Sequence, residues 1–328
     1  MSKVNYKLLF FQMVFAILVV FVHVPFSEFG FLLDSLGRST VLFFFIVSGY
    51  FYSLSLDSPK FSYKKTFKKM FKLGLSFLAI FIIYYLVSII ISLVRNGLPS
   101  SFFDIFIDLH PNLGFSWFLL SLTLCYLIYP LINKIKWLHI SKYSIYVPLT
   151  IMVIVYLFRF IAGIYDLGII GNIEVTRNTI FTGIPCFMIG TYLKDNISRF
   201  KQINAKGFIR YFLVFTSLVI VEALLHKQLG SIENEFYISS IFLCSLVVVY
   251  SIQNPQNKIG EYIEKTQYFK PQSFLYYSHC LVISIMMMFL PRGLMFELIV
   301  VGVGIIIPLV FIFLLNKIYS IRLNFLRV

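Results

Sequence analysis

Residues 8–26 read LLFFQMVFAILVVFVHVPF, and this stretch decides the class of fold. It is apolar throughout except for Gln12 and His23. Its length matches the roughly 20 residues that a helix needs to cross a bilayer. Gln12 and His23 stand eleven positions apart. At about 100° per residue that is close to three turns, so both fall on nearly one helix face. Along the axis they are about 16 Å apart, which puts one polar group in each leaflet. A polar group facing lipid has no hydrogen-bond partner, so both side chains turn toward the interior of a helix bundle. There each either holds a neighbouring helix or takes part in function, and function is the default for an ionisable residue at that depth.

The rest of the chain has the same character. Of its 328 residues 59% are hydrophobic, 19% aromatic and only 13% charged, with mean hydropathy +0.88. A soluble domain is nearer half apolar and about a quarter charged. The net charge of +14 lies in short segments between apolar spans, where it sets orientation and meets anionic lipid, so it does not point to nucleic acid. Cys125, Cys186, Cys244 and Cys280 all lie inside apolar stretches. No C-x-x-C or Cys/His ligand spacing accompanies them, so they read as small packing residues and no metal is expected. Lys3 and Lys7 precede the first apolar run as in a signal peptide. The run is too long for that and no small-x-small cleavage site follows Pro25, so a retained first span is expected.

About ten apolar spans follow one another: 8–26, 39–56, 73–94, 115–133, 145–164, 178–193, 208–226, 236–252, 273–290 and 296–316. Gly183 and Pro185 mark the sixth as short or broken, because proline frees a backbone carbonyl. Alternate connecting segments carry 22 of the 28 Lys and Arg residues, and the opposite loops carry Arg38, Arg95, Arg177, Lys227 and Arg292. The asymmetry predicts cytoplasmic N- and C-termini. The expected fold is therefore all-α: one transmembrane bundle of about ten helices over residues 1–328, with no soluble domain.

This orientation assigns depths. His23, Arg159, Arg177, Glu222 and Trp117 gather in the outer half, with His226 one turn beyond Glu222. His279 falls in the inner half of the ninth span. A buried arginine needs an anionic partner or a wet cavity, and Glu222 is the natural partner for Arg159. The reading is either a structural ion pair or a polar pocket open to the outside; Trp117 is either part of it or an interface anchor. In FSYKKTFKKMFK, Lys64, Lys65, Lys68, Lys69 and Lys72 recur at helical spacing among Phe67, Met70 and Phe71. This predicts an amphipathic basic helix on the inner surface, a contact for lipid headgroups or for a polyanionic cytosolic ligand. There is no P-loop, no Gly-rich nucleotide fingerprint and no G-x-S-x-G elbow, which excludes an ATPase. No cluster of intramembrane carboxylates suggests an ion-coupled transporter.

An ordered series of segments resembles the acyltransferase-3 family of integral membrane acyltransferases. VVFVH, ending at His23, resembles the helix that carries the family's catalytic histidine. FFFIVSGYFYS, Phe43 to Ser53, resembles its F-F-x-x-S-G-[FY] segment and contains Ser48. FKKMFKLGL resembles its basic R-R-x-x-R-[IL]-x-P run, with Lys68, Lys69 and Lys72 for the arginines and Leu75 for the proline. SWFLLSL around Trp117, GIPCFMIGTYL from Gly183 to Leu193, and LYYSHCLV with His279 resemble the later L-W-F-L, P-F-F-x-x-G and Y-L-x-H-x-x-[VI] segments. Where the family has an R-x10-H pattern in its first helix, this chain has Gln12 and His23.

The resemblance implies a transfer of an acyl group, commonly acetyl, from cytosolic acyl-CoA to a hydroxyl of a cell-surface or lipid-linked glycan. His23 would be the general base, and Arg159, Arg177, Glu222 and Trp117 would face the acceptor or the oxyanion. Gln12, Ser48, the five lysines from Lys64 to Lys72 and His279 would face the donor. It also implies a bacterial inner membrane, lipids as surroundings, and other polysaccharide-assembly proteins as partners. The alternative is a carrier of glycans or small solutes with the same fold and no acyl donor.

Overall fold

The computed structural model describes residues 4–24, 30–58, 62–95, 117–132, 145–165, 177–229, 236–266, 270–289 and 294–325. The described residues contain no strand. Twelve helices follow in order: α1 Tyr6–Val22, α2 Phe31–Gly37, α3 Ser39–Leu56, α4 Tyr63–Arg95, α5 Trp117–Ile132, α6 Tyr146–Ile164, α7 Ile184–Asn196, α8 Ala205–Gln228, α9 Ile238–Gln253, α10 Lys258–Thr266, α11 Pro271–Phe289 and α12 Leu294–Phe325. Each of the ten apolar stretches of the sequence carries one of them; α2 and α10 are additional short helices. Among the described residues five helical segments are long and apolar enough to cross a membrane, six if α9 and α10, bent by 79°, count as one broken span. α1 and α5, with 17 and 16 residues, are shorter than a full crossing.

Asparagine marks several helix starts. The Asn5 side chain accepts from Leu8 N at the head of α1, Asn204 from Gly207 N at the head of α8, and Asn257 from Gly260 N at the head of α10. Asn178 accepts from Ile180 N and Phe181 N. Each satisfies amide groups that have no partner in the first turn of a helix. Asn178 opens a π-helical turn, Thr179–Gly183, that runs into α7 with Pro185 in its first turn. The break expected in the sixth span is thus a wide turn that accommodates a proline lacking its N–H.

α3 is the centre of the bundle. Val41, Leu42, Phe43, Phe45, Ile46 and Val47 are all buried, as suits a helix apolar on every side. α7 lies against it backbone to backbone. A Cβ added to Gly49 would stand 2.0 Å from Phe187 O, and one on Gly190 2.0 Å from Ile46 O. Only glycine permits that approach, the small-residue mode of packing common between membrane helices. Around it Tyr52, Tyr126, Tyr129 and Phe187 pack ring against ring, with centroids 5.1–5.7 Å apart. The outside of the bundle is apolar instead. Leu213, Val214, Leu218, Val221 and Leu225 on α8, and Ile306, Val310, Phe313 and Leu314 on α12, are exposed. Such surfaces are stable in lipid, and the protein is a multi-pass membrane protein.

The basic helix of the first lysine-rich segment is the first part of the 33-residue α4. The lysine-rich turns and the apolar span keep one unbroken helical register, with no glycine or proline between Lys64 and Lys72 to end it. Glu222 makes contacts that its place in the sequence does not show. Its carboxylate accepts from Ile238 N at 2.7 Å, Ser239 N at 3.0 Å and the Ser239 hydroxyl. An anion at a helix N-terminus meets several aligned donors at once, so Glu222 ties α8 to the head of α9.

Candidate functional site

α1 ends at Val22, and His23 is its C-terminal cap, with its amide bonded to Val20 O at 3.2 Å. Pro25 in the sequence disfavours helical backbone at the residue before it, which stops α1 at this level. α11 passes alongside. The His23 and His279 rings stand 5.1 Å apart between centroids. His279 is therefore not a leaflet below His23, as its place in the sequence suggests. α11 enters the bundle at the level of Gln12, since Gln12 and Gln272 line one cavity, and the ninth residue of α11 thereby reaches the end of α1.

His279 is fully buried and its orientation is set by two contacts. Nδ1 lies 2.9 Å from Leu275 O, and Nε2 lies 3.2 Å from Cys280 Sγ. A carbonyl only accepts, so the bond to Leu275 requires the proton on Nδ1 and leaves the Nε2 lone pair toward the thiol. Cys280 Sγ and one ring nitrogen from each histidine all fall within 4.8 Å of one another. The charges of Arg177 and Arg38 also reach His23. Arg38 is buried, and its Nε donates to Asp34 Oδ2 at 2.8 Å.

Next to the histidines is a cavity of about 210 Å³. Gln12, Ser48, Lys270, Gln272, Ser273, Tyr276 and Tyr277 supply its polar lining, and Phe44, Phe118, Leu73, Leu119 and Leu122 the apolar part. Tyr276 joins the two features: it lines the cavity, and its ring is 6.0 Å from that of His279. Phe44 and Phe118 pack on the same tyrosine.

The structure separates the sequence-derived candidates. His23 and His279 come together, and the charge of Arg177 reaches His23. Gln12 and Ser48 line the cavity, and Lys72 is the neighbour of the lining residue Leu73. Lys64, Lys68 and Lys72 are exposed on α4, the helix that also carries Lys65 and Lys69. Trp117 opens α5 and packs on Phe45, its ring 6.1 Å away. Arg159 is buried on α6, the helix whose Tyr156 hydroxyl bonds His226 Nε2 at 2.7 Å. Glu222 caps α9, as above.

Four residues escape the sequence reading. Cys280 resembles the other packing cysteines until the fold places an imidazole beside it. Arg38 has a signal in its i, i+4 spacing from Asp34. Lys270 and Gln272 are visible as polar residues nine and seven positions before His279.

Comparison with the curated proteins finds no match, and comparison with the solved structures finds none. The sequence does match the acyltransferase-3 family, described as an acyltransferase domain, over residues 5–317, nearly its whole length. A helix bundle for a membrane, a pair of neighbouring histidines and a cavity that shares Tyr276 with that pair are consistent with this match, and the chain belongs to the acyltransferase-3 family of membrane acyltransferases.

Proposed function

We propose that the protein transfers an acyl group, acetyl in the first instance, from acyl-CoA to a hydroxyl of a cell-surface or lipid-linked glycan. The observation that carries this reading is the cavity that Tyr276 lines, together with the contact of the same tyrosine with His279 of the His23–His279 pair. A space of about 210 Å³ suits the thioester end of the donor and is too small for its nucleotide. The phosphates stay outside, at Lys270 and at the exposed Lys64, Lys68 and Lys72 of α4, where cationic side chains form charge-assisted bonds. Gln12 and Ser48 hydrogen-bond the arm within the cavity. The acceptor arrives from the other side of the membrane, past the half-buried His23.

His23 accepts the proton of the glycan hydroxyl as its oxygen attacks the thioester carbonyl. The C–S bond then breaks, and His23 returns the proton to the departing sulfur of coenzyme A. Base catalysis of this kind contributes about 10²–10⁴-fold. Arg177, whose charge reaches His23, stabilises the oxyanion of the tetrahedral intermediate, an effect worth about 10²–10³-fold for one donor. Arg159 holds the acceptor. The proposed setting is a bacterial inner membrane, with the donor on the cytoplasmic side.

The test is the O-acetyl content of surface glycan in cells that carry the wild type or His23→Ala. Acetylation is expected to disappear with His23→Ala; wild-type acetylation in that variant overturns the role of His23. Wild-type cells with no acetylation above a deletion strain overturn the transferase reading itself.

A further inference from the structure

His23, His279 and Cys280 offer three metal-ligating atoms within 4.8 Å of one another, two of them fully buried, in a chain whose sequence shows no metal spacing. We propose that these three side chains form a binding site for a borderline divalent transition-metal ion of the zinc type, and that the bound ion blocks acyl transfer. Two imidazoles and a thiol are the donor set that such ions prefer over magnesium or calcium. In a tetrahedral site with bonds of about 2.0–2.3 Å, the ligand atoms stand roughly 3.3–3.7 Å apart. Cys280 Sγ and His279 Nε2 are already 3.2 Å apart, and His23 closes the remainder by a side-chain rotation of about 1 Å.

The outer shell is in place as well. Leu275 O holds Nδ1–H of His279, which presents Nε2 as the ligating atom. This is the usual second contact of a metal-binding histidine. On binding, the Cys280 S–H bond breaks, the sulfur bonds the ion and the proton leaves to solvent, so the ion adds one net positive charge. Arg38 and Arg177 oppose that charge, and Asp34 on Arg38 offsets part of it. His23 is the half-buried member of the three, so the site is reached from its side.

The consequence for catalysis rests on the role of His23 proposed above. A lone pair that ligates an ion cannot take a proton, so the metal inhibits. The other cysteines have different neighbours: Cys186 Sγ meets Met152 Sδ at 3.8 Å, and Cys244 Sγ meets Ser39 O at 3.2 Å. They provide an internal control.

The experiment is a titration of the purified full-length protein in detergent with Co²⁺, whose thiolate bonds give a charge-transfer band in the near ultraviolet. Wild type and Cys186→Ser are expected to show a saturable band at one ion per chain, displaced by Zn²⁺. Cys280→Ser loses the band, and His279→Gln weakens binding at least tenfold. No saturable band in the wild type, or an unchanged band in Cys280→Ser, overturns the site. Because the wild type alone can fail, misfolding of a variant does not protect the proposal. A band in a protein with no acyl transfer supports the site and overturns the function proposed above. A band together with acyl transfer that Zn²⁺ leaves untouched overturns the inhibitory role.

Discussion

The imidazoles of His23 and His279 stand 5.1 Å apart, although 256 positions of chain separate them. One sits at the end of α1 and the other in the middle of α11, and Leu275 O fixes the His279 ring through Nδ1. In the proposed mechanism this contact gives His279 the task of positioning His23. His279→Ala is expected to lower kcat by about 10–100-fold, the scale of a misplaced catalytic group, with little change in the KM for acyl-CoA. A rise in KM with unchanged kcat would assign His279 to donor binding instead.

Gln12 lines the cavity but carries no charge. In Gln12→Arg a guanidinium would enter the same wall and could pair with an anionic group of the donor, which glutamine cannot. One charge-assisted hydrogen bond is worth about 1.5–3 kcal/mol. The expected outcome is a fall in the KM for acyl-CoA of about tenfold or more, read in membranes with labelled donor.

The exposed lysines of α4 should act by charge alone. A double change, Lys68→Gln with Lys72→Gln, is expected to raise the KM for acyl-CoA while leaving kcat near wild type. The difference between variant and wild type should shrink as salt rises, since the Debye length falls from about 10 Å at 0.1 M to about 3 Å at 1 M. An effect that persists at high salt would point to packing and not to phosphate contacts.

Gly190 and Gly49 hold the α3–α7 contact. Gly190→Val would drive a side chain into Ile46 O, a backbone atom that can move only with its helix. Overpacking of this kind costs about 1–3 kcal/mol. A lower Tm in detergent is expected, together with loss of activity through displacement of the FFFIVSG segment. Gly302 has open space around its Cβ position, so Gly302→Ala should leave the Tm near wild type.

Glu222 caps α9, and Glu222→Ala leaves Ile238 N and Ser239 N without their acceptor. The expected loss is about 1–3 kcal/mol of stability. Were Glu222 a binding residue for the acceptor, the variant would instead keep its Tm and lose affinity for glycan.

Composition and periodicity were sufficient for the class of fold. An apolar chain with short basic connections has few stable states other than a membrane helix bundle, because each backbone amide must find its partner within its own helix. For the same reason the ten apolar stretches of the sequence coincide with ten helices. The proline of the sixth span was legible as a break, since a missing N–H acts locally. The surroundings of three other residues depend on neighbouring helices. The Glu222 carboxylate finds the amides at the head of α9. His279 lies level with His23, where counting from its own loop places it lower, and Cys280 packs in the core beside the His279 imidazole.

By itself, then, the sequence determined that this protein is a membrane helix bundle, and it identified the histidine of the first helix. Only the tertiary structure decided that His279 and Cys280 share the position of His23, and that Gln12, Ser48 and Tyr276 line one cavity. Helix formation depends on hydrogen bonds within a few residues, which a linear pattern records. The register of α11 against α1 depends on how side chains of both helices fit one another, and no spacing along one chain encodes that fit.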